Sequence, residues 1–224
     1  MKTTIHVLAI DPSETKEWFL YKHYARRLPN IVYAFGLYDD KELIGVCSFG
    51  VPASPSLVVG ALGEEYKDIF FELNRLCVND GLPKNTLSFF VGQCLRMLNN
   101  GSPKVIVSYA DSGMNHHGYI YQATNWIYTG ITKPHIEYSL PNCGNKHSRH
   151  ALDDYGGINS AKEKGVEFEI KERTLKHRYF YFIGNKREKK RMKKALKYPV
   201  VPYPKGDNVR YDASYKPNPN LILF

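Results

Sequence analysis

IFFELNRLCV (residues 69–78), TLSFFVGQCLRML (86–98) and KVIVSYAD (104–111) follow one another in a single stretch, and their reading decides the fold. In the first run, bulky apolar residues are interrupted by Glu72, Asn74 and Arg75, as in a strand that turns polar groups toward one side. In the second, Leu87, Phe90, Val91, Cys94, Leu95 and Leu98 form an apolar stripe at helical spacing. Turn and cap residues through Asn85-Thr86 open it, and Asn99-Asn100-Gly101 close it. The third run is short and apolar enough for a buried strand. Strand, helix and strand in this order imply a right-handed parallel crossover.

Upstream, Thr4–Ile10 reads as a buried strand. Asp11-Pro12-Ser13 starts a helix in which Trp18, Tyr21, Ala25 and Leu28 share a face before Pro29-Asn30. Ile31–Leu37 and Leu43–Phe49, separated by a polar turn, read as an antiparallel hairpin. Downstream, Gly118–Ile131 reads as a short helix turning at Thr124-Asn125 into a strand. Lys133–Gly157 reads as loop, and Val166–Ile170 with His177–Ile183 as a late hairpin. A basic helix from Lys186 to about Lys197 and an extended, proline-rich end complete the chain. The sum is an α/β fold with a central mixed β-sheet flanked by helices.

The 224 residues are 43% hydrophobic and 24% charged, enough to build a core. No run approaches the roughly 18 apolar residues of a membrane span, and the N-terminus lacks the pattern of a secretory leader. Cys47, Cys77, Cys94 and Cys143 form no CxxC pair, so neither a disulfide scaffold nor a zinc ribbon is indicated, and reduced thiols in a cytoplasm are expected. The net charge of +9 is concentrated. Residues 186–224 hold eleven of the 31 Lys/Arg and three of the 22 Asp/Glu. Such asymmetry points to a polyanion, nucleic acid before membrane, against the plainer reading of a solubilising chain end. Lys186, Arg187, Lys189, Lys190, Arg191, Lys193 and Lys194 are the candidate DNA contacts. Tyr198, Tyr203, Tyr211 and Tyr215 beyond them are rings able to stack on unpaired bases.

The order of elements resembles the GNAT acyltransferase fold, with Gly118-Tyr-Ile-Tyr-Gln-Ala-Thr-Asn125-Trp126 similar to that family's late helix-to-strand signature. The family's Gln/Arg-x-x-Gly-x-Gly/Ala pyrophosphate loop is absent between Val78 and Leu87. Glu72-Leu-Asn-Arg-Leu, Ser108-Tyr-Ala-Asp111 and His116-His-Gly-x-Ile-Tyr-Gln-Ala-Thr-Asn-Trp126 together resemble more closely the Mom family of phage DNA-modification proteins. That resemblance implies a GNAT-like catalytic domain over residues 1–185, with 186–224 as a basic, Tyr/Pro-containing extension. It also implies conversion of DNA adenine to an N6-carbamoylmethyl form that blocks host restriction enzymes.

The resemblance implies site roles for Asp111, Tyr121, Ser108, Arg75 and His117, and each type has its chemistry. Asp111 ends a strand where α/β sheets bind ligands and can take a proton from an amine, or it is only a turn-capping aspartate. Arg75 offers a planar donor fork, or an internal pair with Glu72. Ser108 can hydrogen-bond a substrate, but no Gly-x-Ser-x-Gly elbow makes it a nucleophile. Tyr121 stands where the GNAT tyrosine protonates a departing coenzyme A thiolate, and is equally a routine helix tyrosine. His117 would open the helix as a substrate-loop residue. Asn85, Thr86 and Asn125 are the cofactor-side candidates, toward an acyl-CoA or related donor that the residues do not identify. Cys143, His147 and His150 are the candidate metal ligands, weighed against a solvated polar loop, and no metal is expected. Two other readings stay open: a conventional GNAT acyltransferase acting on a small amine or protein, and a non-catalytic DNA-binding protein on a degenerate core.

Overall fold

The structure is a computed structural model and describes residues 5–134, 136–140 and 152–206. Seven strands form one mixed sheet in the order β1-β2-β3-β4-β5-β9-β6. These are β1 (Ile5–Ala9), β2 (Tyr33–Asp39), β3 (Glu42–Gly50), β4 (Phe70–Val78), β5 (Lys104–Asp111), β6 (Ile127–Ile131) and β9 (Lys176–Ile183). Of these neighbours only β4 and β5 pair in parallel, joined by α2 (Thr86–Met97), as the strand–helix–strand pattern requires. The β2–β3 hairpin is antiparallel, as expected.

Two cores fill the two faces. On one, Phe90, Val91, Cys94 and Leu95 of α2 and Tyr121 of α3 (Tyr119–Ala123) pack against Phe49, Leu73, Ile106 and Ala110. On the other, α1 (Pro55–Ala61) and the basic α5 (Lys186–Ala195) cover Phe70, Val105, Val107, Phe180 and Phe182. Met192 is the one fully buried side chain of α5, with Ala195 and Leu196 beside it, which is the anchoring side its sequence offers. An Asn185–Glu188 capping box starts this helix.

Three expectations are corrected. The helix expected to run from Asp11 to Leu28 is two short pieces, a capped 3₁₀ turn (Pro12–Thr15) and one π turn (Trp18–Lys22). His23 then turns extended, and Leu28 is exposed. Lys22 is drawn inward, its Nζ donating to Asn79 Oδ1 at 2.7 Å, and this interior use of a polar residue overrides the helical period. The late hairpin does not form. β8 (Glu169–Glu172) pairs instead with β7 (Ile136–Ser139), inside the segment expected to be loop, while β9 inserts between β5 and β6. Around β7 and β8, Leu140, Leu152, Ala161 of α4 (Ile158–Glu163) and Phe168 make a small separate core.

After α5 the chain crosses the sheet edge and docks. Lys197 N–H donates to Ala61 O, Val201 N–H to Tyr128 O, and the Tyr203 hydroxyl to Trp126 O at 2.6 Å. Tyr198 stacks on Phe180, with the Arg178 guanidinium 3.4 Å from its ring centre. Tyr198 is therefore packed between Phe180 and Arg178, Tyr203 is anchored through its hydroxyl with the residue 38% exposed, and Tyr211 and Tyr215 lie outside the described residues.

Candidate active site in the fork of the sheet

β4 and β5 pair only from Phe70↔Val105 to Glu72↔Val107. Beyond that point each strand stays with its outer neighbour, β4 with β3 as far as Gly45↔Val78 and β5 with β9 as far as Asp111↔Lys176. The two strands thus part into a fork. A cavity of about 280 Å³ opens between Leu73–Val78 and Ser108–Asp111, at the lower end of the roughly 300–1,000 Å³ usual for small-molecule sites.

A β-bulge shapes the fork. Ser48 pairs with Arg75 and Phe49 with Leu73, which leaves Asn74 as the extra residue on β4. Asn74 is pinned there: its Oδ1 accepts from Ser48 Oγ at 2.6 Å and its Nδ2 donates to Asn30 O at 2.8 Å. Gly50 permits that approach, because a Cβ there would collide with the Asn30 carbonyl. Strict alternation would place Glu72 and Arg75 on opposite faces. Their cross-strand partners Gly50 and Ser48 share a face, so the bulge brings Glu72 and Arg75 to the same side.

Tyr109 and Asp111 alternate with Val105 and Val107 onto that side too, as does Lys176 in register with Asp111. Asp111 combines both of its expected roles. Its Oδ1 caps the turn by accepting from Gly113 N–H at 3.0 Å, while its Oδ2 lies 3.8 Å from Lys176 Nζ. Burial holds the Glu72 carboxyl above its usual range against the pull of Arg75 and Lys176, and lowers the Lys176 ammonium against Asp111. Arg75 Nη1 donates to Asn74 O at 2.7 Å, but its buried Nε has no hydrogen-bond partner among the described residues. An unmatched donor of this kind suits an acceptor brought by a ligand.

On the opposite side, facing α2 and α3, Ser108 Oγ lies 2.9 Å from the Leu73 carbonyl and 2.7 Å from the Tyr121 hydroxyl. A serine has one proton; given to the carbonyl, it leaves Tyr121 to supply the proton of the second bond. Burial raises the Tyr121 phenol well above its ordinary value, outweighing the Ser108 bond, so it stays protonated at neutral pH. Trp126 packs 5.0 Å from the Tyr121 ring and fixes it.

The structure brings Arg75, Ser108, Asp111 and Tyr121 to one cavity. It turns His117 away: that ring packs 5.6 Å from His177, its carbonyl accepts from the Tyr179 hydroxyl at 2.5 Å, and the neighbouring His116 lines the cavity instead. Asn85 and Asn125 occupy left-handed turn positions, Thr86 is buried and donates to Pro83 O, and none of the three reaches the cavity. None of the seven basic residues of α5 lines it either, although α5 covers the sheet face that carries Asp111. Cys143, His147 and His150 lie outside the described residues. Among those described, no group of three His, Cys, Asp or Glu is placed to hold a metal, and no helix is long and apolar enough to cross a membrane.

Sequence reasoning passed over the π turn. Lys22, His23 and Tyr24 all line the cavity, and burial with the nearby charges of Arg75 and His116 lowers His23 to about 3. The signal available was weak: two polar residues, Lys22 and His23, where a surface helix would have continued.

The Mom protein family model matches residues 4–205. The chain belongs to the Mom family. Within it, the methylcarbamoylase mom of Escherichia phage Mu is 30% identical over 193 residues, covering 82% of this chain and 77% of that protein. Solved structures similar to this Mom-family chain are acetyltransferases. Arabidopsis thaliana NAA60 in complex with acetyl-CoA is 13% identical, covering 80% of this chain and 99% of that one, with a TM-score of 0.49. An N-acetyltransferase from Staphylococcus aureus Mu50 is 11% identical, covering 80% and 97%, with a TM-score of 0.43.

Proposed function

We propose that this chain is a transferase that modifies adenine in DNA to its N6-carbamoylmethyl form, with the fork between β4 and β5 receiving the everted base. The observation that carries the reading is the convergence of Arg75, Asp111 and Tyr121 on one cavity in a Mom-family chain. The cavity suits a base better than a phosphate. Lys22, Arg75 and Lys176 are matched there by Glu72, Asp80 and Asp111, so it carries little net charge, whereas the cations of α5 stand outside it where a phosphate backbone would run.

Adenine's amino nitrogen is a weak nucleophile because its lone pair is shared with the ring, and in duplex DNA it is also paired and stacked. Extrusion costs a few kcal/mol, which backbone contacts offset. Once the base is seated, the Asp111 Oδ2 not used in capping is the acceptor for the amino proton. Lys176 Nζ lies beside that oxygen at 3.8 Å, and Arg75 Nε meets a ring-nitrogen acceptor. Tyr121 donates toward the group being transferred when Ser108 turns its own proton from the Leu73 carbonyl to the Tyr121 oxygen; Ser108 positions Tyr121 and does not itself touch substrate. An acyl-CoA or related carrier is the donor class in this reading. The carbamoylmethyl group is joined through a CH₂ rather than a carbonyl, so plain acyl transfer does not complete the product. The place of action is the cytoplasm of the host cell, where the DNA is.

Asp111→Asn tests the reading, because the amide oxygen keeps the turn cap while losing the base. Wild-type chain co-expressed with plasmid yields modified deoxyadenosine by nucleoside mass spectrometry, and the variant yields none at nearly unchanged DNA affinity. Modification by Asp111→Asn at the wild-type level removes Asp111 from the mechanism. No modified nucleoside from the wild type, with DNA still bound, leaves a binding protein; acetyl-CoA turnover without DNA leaves a conventional acyltransferase.

A further inference from the structure

Glu72 stands where the fork begins. Its pairing with Val107 is the last between β4 and β5, its side chain lies on the face that the bulge also gives to Arg75, and it lines the cavity, yet the transfer chemistry above gives it no task. Among the described residues no hydrogen bond or ion pair engages its carboxyl, and neither oxygen is sealed away from the cavity. The groups that face it are Arg75 beside it on β4, Lys176 on β9, and the phenols of Tyr109 on β5 and Tyr121 on α3. Lys176 feels Asp111 as well as Glu72, so the two carboxyls share one corner of the cavity. Burial outweighs the two cations and moves the Glu72 carboxyl toward its protonated form. A neutral base that fills the cavity drives out water and moves it further the same way.

A base everted from the duplex leaves its pairing partner behind. On its Watson–Crick edge adenine then offers one N6–H donor beside the N1 acceptor, and both are costly to bury unmatched. A carboxylic acid carries the complementary pair, a carbonyl acceptor and an O–H donor, whereas a carboxylate has acceptors only and meets the N1 lone pair with repulsion. We infer that Glu72 takes the place of adenine's lost Watson–Crick partner, its carbonyl accepting one N6–H and its hydroxyl donating to N1. This rests on the reading of the fork as a base pocket and divides the base's edges: Glu72 holds the Watson–Crick edge, while Arg75 and Asp111 address N7 and the other amino hydrogen. A donor on N1 also draws electron density from the ring, which makes the amino proton easier for Asp111 to take.

Binding of two short oligothymidines to the full chain at neutral pH tests it, one with a single central adenosine and the other with 1-deazaadenosine, in which a C–H replaces N1. Phosphates, sugar and amino group are the same in both, so the ratio of their dissociation constants reads the donor to N1. The wild type prefers adenosine by about 5- to 150-fold, the range for a buried hydrogen-bonding group left without its partner. Glu72→Gln keeps that preference, since its amide has a like donor and acceptor, and Glu72→Leu brings the ratio near unity. The charge lost in Glu72→Leu alters phosphate binding equally for both oligonucleotides and leaves the ratio alone. No preference in the wild type, which is what an ionised Glu72 gives, overturns the inference, as does its loss in Glu72→Gln. An undiminished ratio in Glu72→Leu overturns it too, and places the donor to N1 on another residue such as Arg75. Should Glu72→Leu fail to fold, Glu72→Met, unbranched and without a hydrogen-bonding group to match N1, takes its place with the same two outcomes. The modification reading fails separately, if wild-type chain leaves plasmid nucleosides unaltered while the preference over 1-deazaadenosine persists.

Discussion

Replacing His23 by asparagine should make the protein's stability less sensitive to acid, by an amount the structure sets. His23 is 8% exposed, and burial, with the charges of Arg75 and His116 adding to it, lowers its pKa from the ordinary 6.5 to about 3. The folded value lies below the unfolded one. Above about pH 6.5 both states hold a neutral ring and its burial costs nothing extra; between about 6.5 and 3 the unfolded chain binds the proton and the folded chain does not. Stability present at neutral pH is therefore lost as pH falls through that window. At about pH 5 the unfolded imidazole lies about 1.5 units below its pKa, which favours unfolding by about 2 kcal/mol, a large share of the roughly 5–15 kcal/mol of a typical domain.

Asparagine is the suitable replacement because its Oδ1 can accept the Ala25 N–H that His23 Nδ1 accepts at 3.1 Å, while carrying no titratable group. Urea unfolding of both proteins at about pH 7.5 and about pH 5 gives four free energies. The loss of the His23 ring's contacts with Phe19 and Tyr24 lowers the variant at both pH values alike. His116 and His177, also lowered chiefly by burial, titrate in both proteins and largely cancel in the comparison. The wild type should lose about 2 kcal/mol more than His23→Asn on acidification. Equal losses, within about 0.5 kcal/mol, would show that the ring is hydrated in the native state and refute the buried neutral imidazole.

Ser108→Ala leaves both the Leu73 carbonyl and the Tyr121 hydroxyl without their partner in a buried site and should cost about 1–3 kcal/mol. Combined with Tyr121→Phe it should cost less than the two single changes together, and an additive result in urea unfolding would mean the two hydroxyls are not coupled. On α5, changing the exposed Lys189, Lys190 and Lys193 to glutamine should flatten the slope of log affinity for duplex DNA against log salt by up to about 2.7, at about 0.9 for each phosphate no longer neutralised. An unaltered slope would place the phosphate-binding cations elsewhere.

How much of this was legible beforehand depends on what each feature is made of. The β4–α2–β5 crossover and the β2–β3 hairpin follow from apolar period and turn chemistry, which are local, and they formed as expected. β9 did not, because choosing a partner for a strand is a non-local decision. Its own composition nevertheless held the clue. His177, Tyr179, Phe180, Phe182 and Ile183 are buried on both faces of the strand, and a run apolar on both sides belongs inside a sheet, not in a hairpin at its margin. The π turn was hidden for the opposite reason: Trp18 and Phe19 do pack as a helix would, and before His23 only the polar Lys22 hints that the chain will stop turning.

The site shows the same division more sharply. Residue types were readable, and Arg75, Ser108, Asp111 and Tyr121 do meet. What makes them meet is not a property of any of them. The cavity exists because two parallel strands stop pairing after Glu72↔Val107, and Arg75 faces Asp111 only because Asn74 inserts one unpaired residue. By strict alternation the two would lie on different faces, and a Glu72–Arg75 pair would be split as well. A one-residue bulge reverses the facing of everything after it, so motif reading locates the right residues while alternation alone gives the wrong geometry. His116 and His117 make the converse case. Adjacent and chemically identical, they were separable only by the turn at Gly118, which has φ of +75° and lies so close to Tyr179 that a Cβ would strike the ring. That approach fixes which imidazole meets the cavity and which is packed against His177, and it is made by a strand some sixty residues further along the chain.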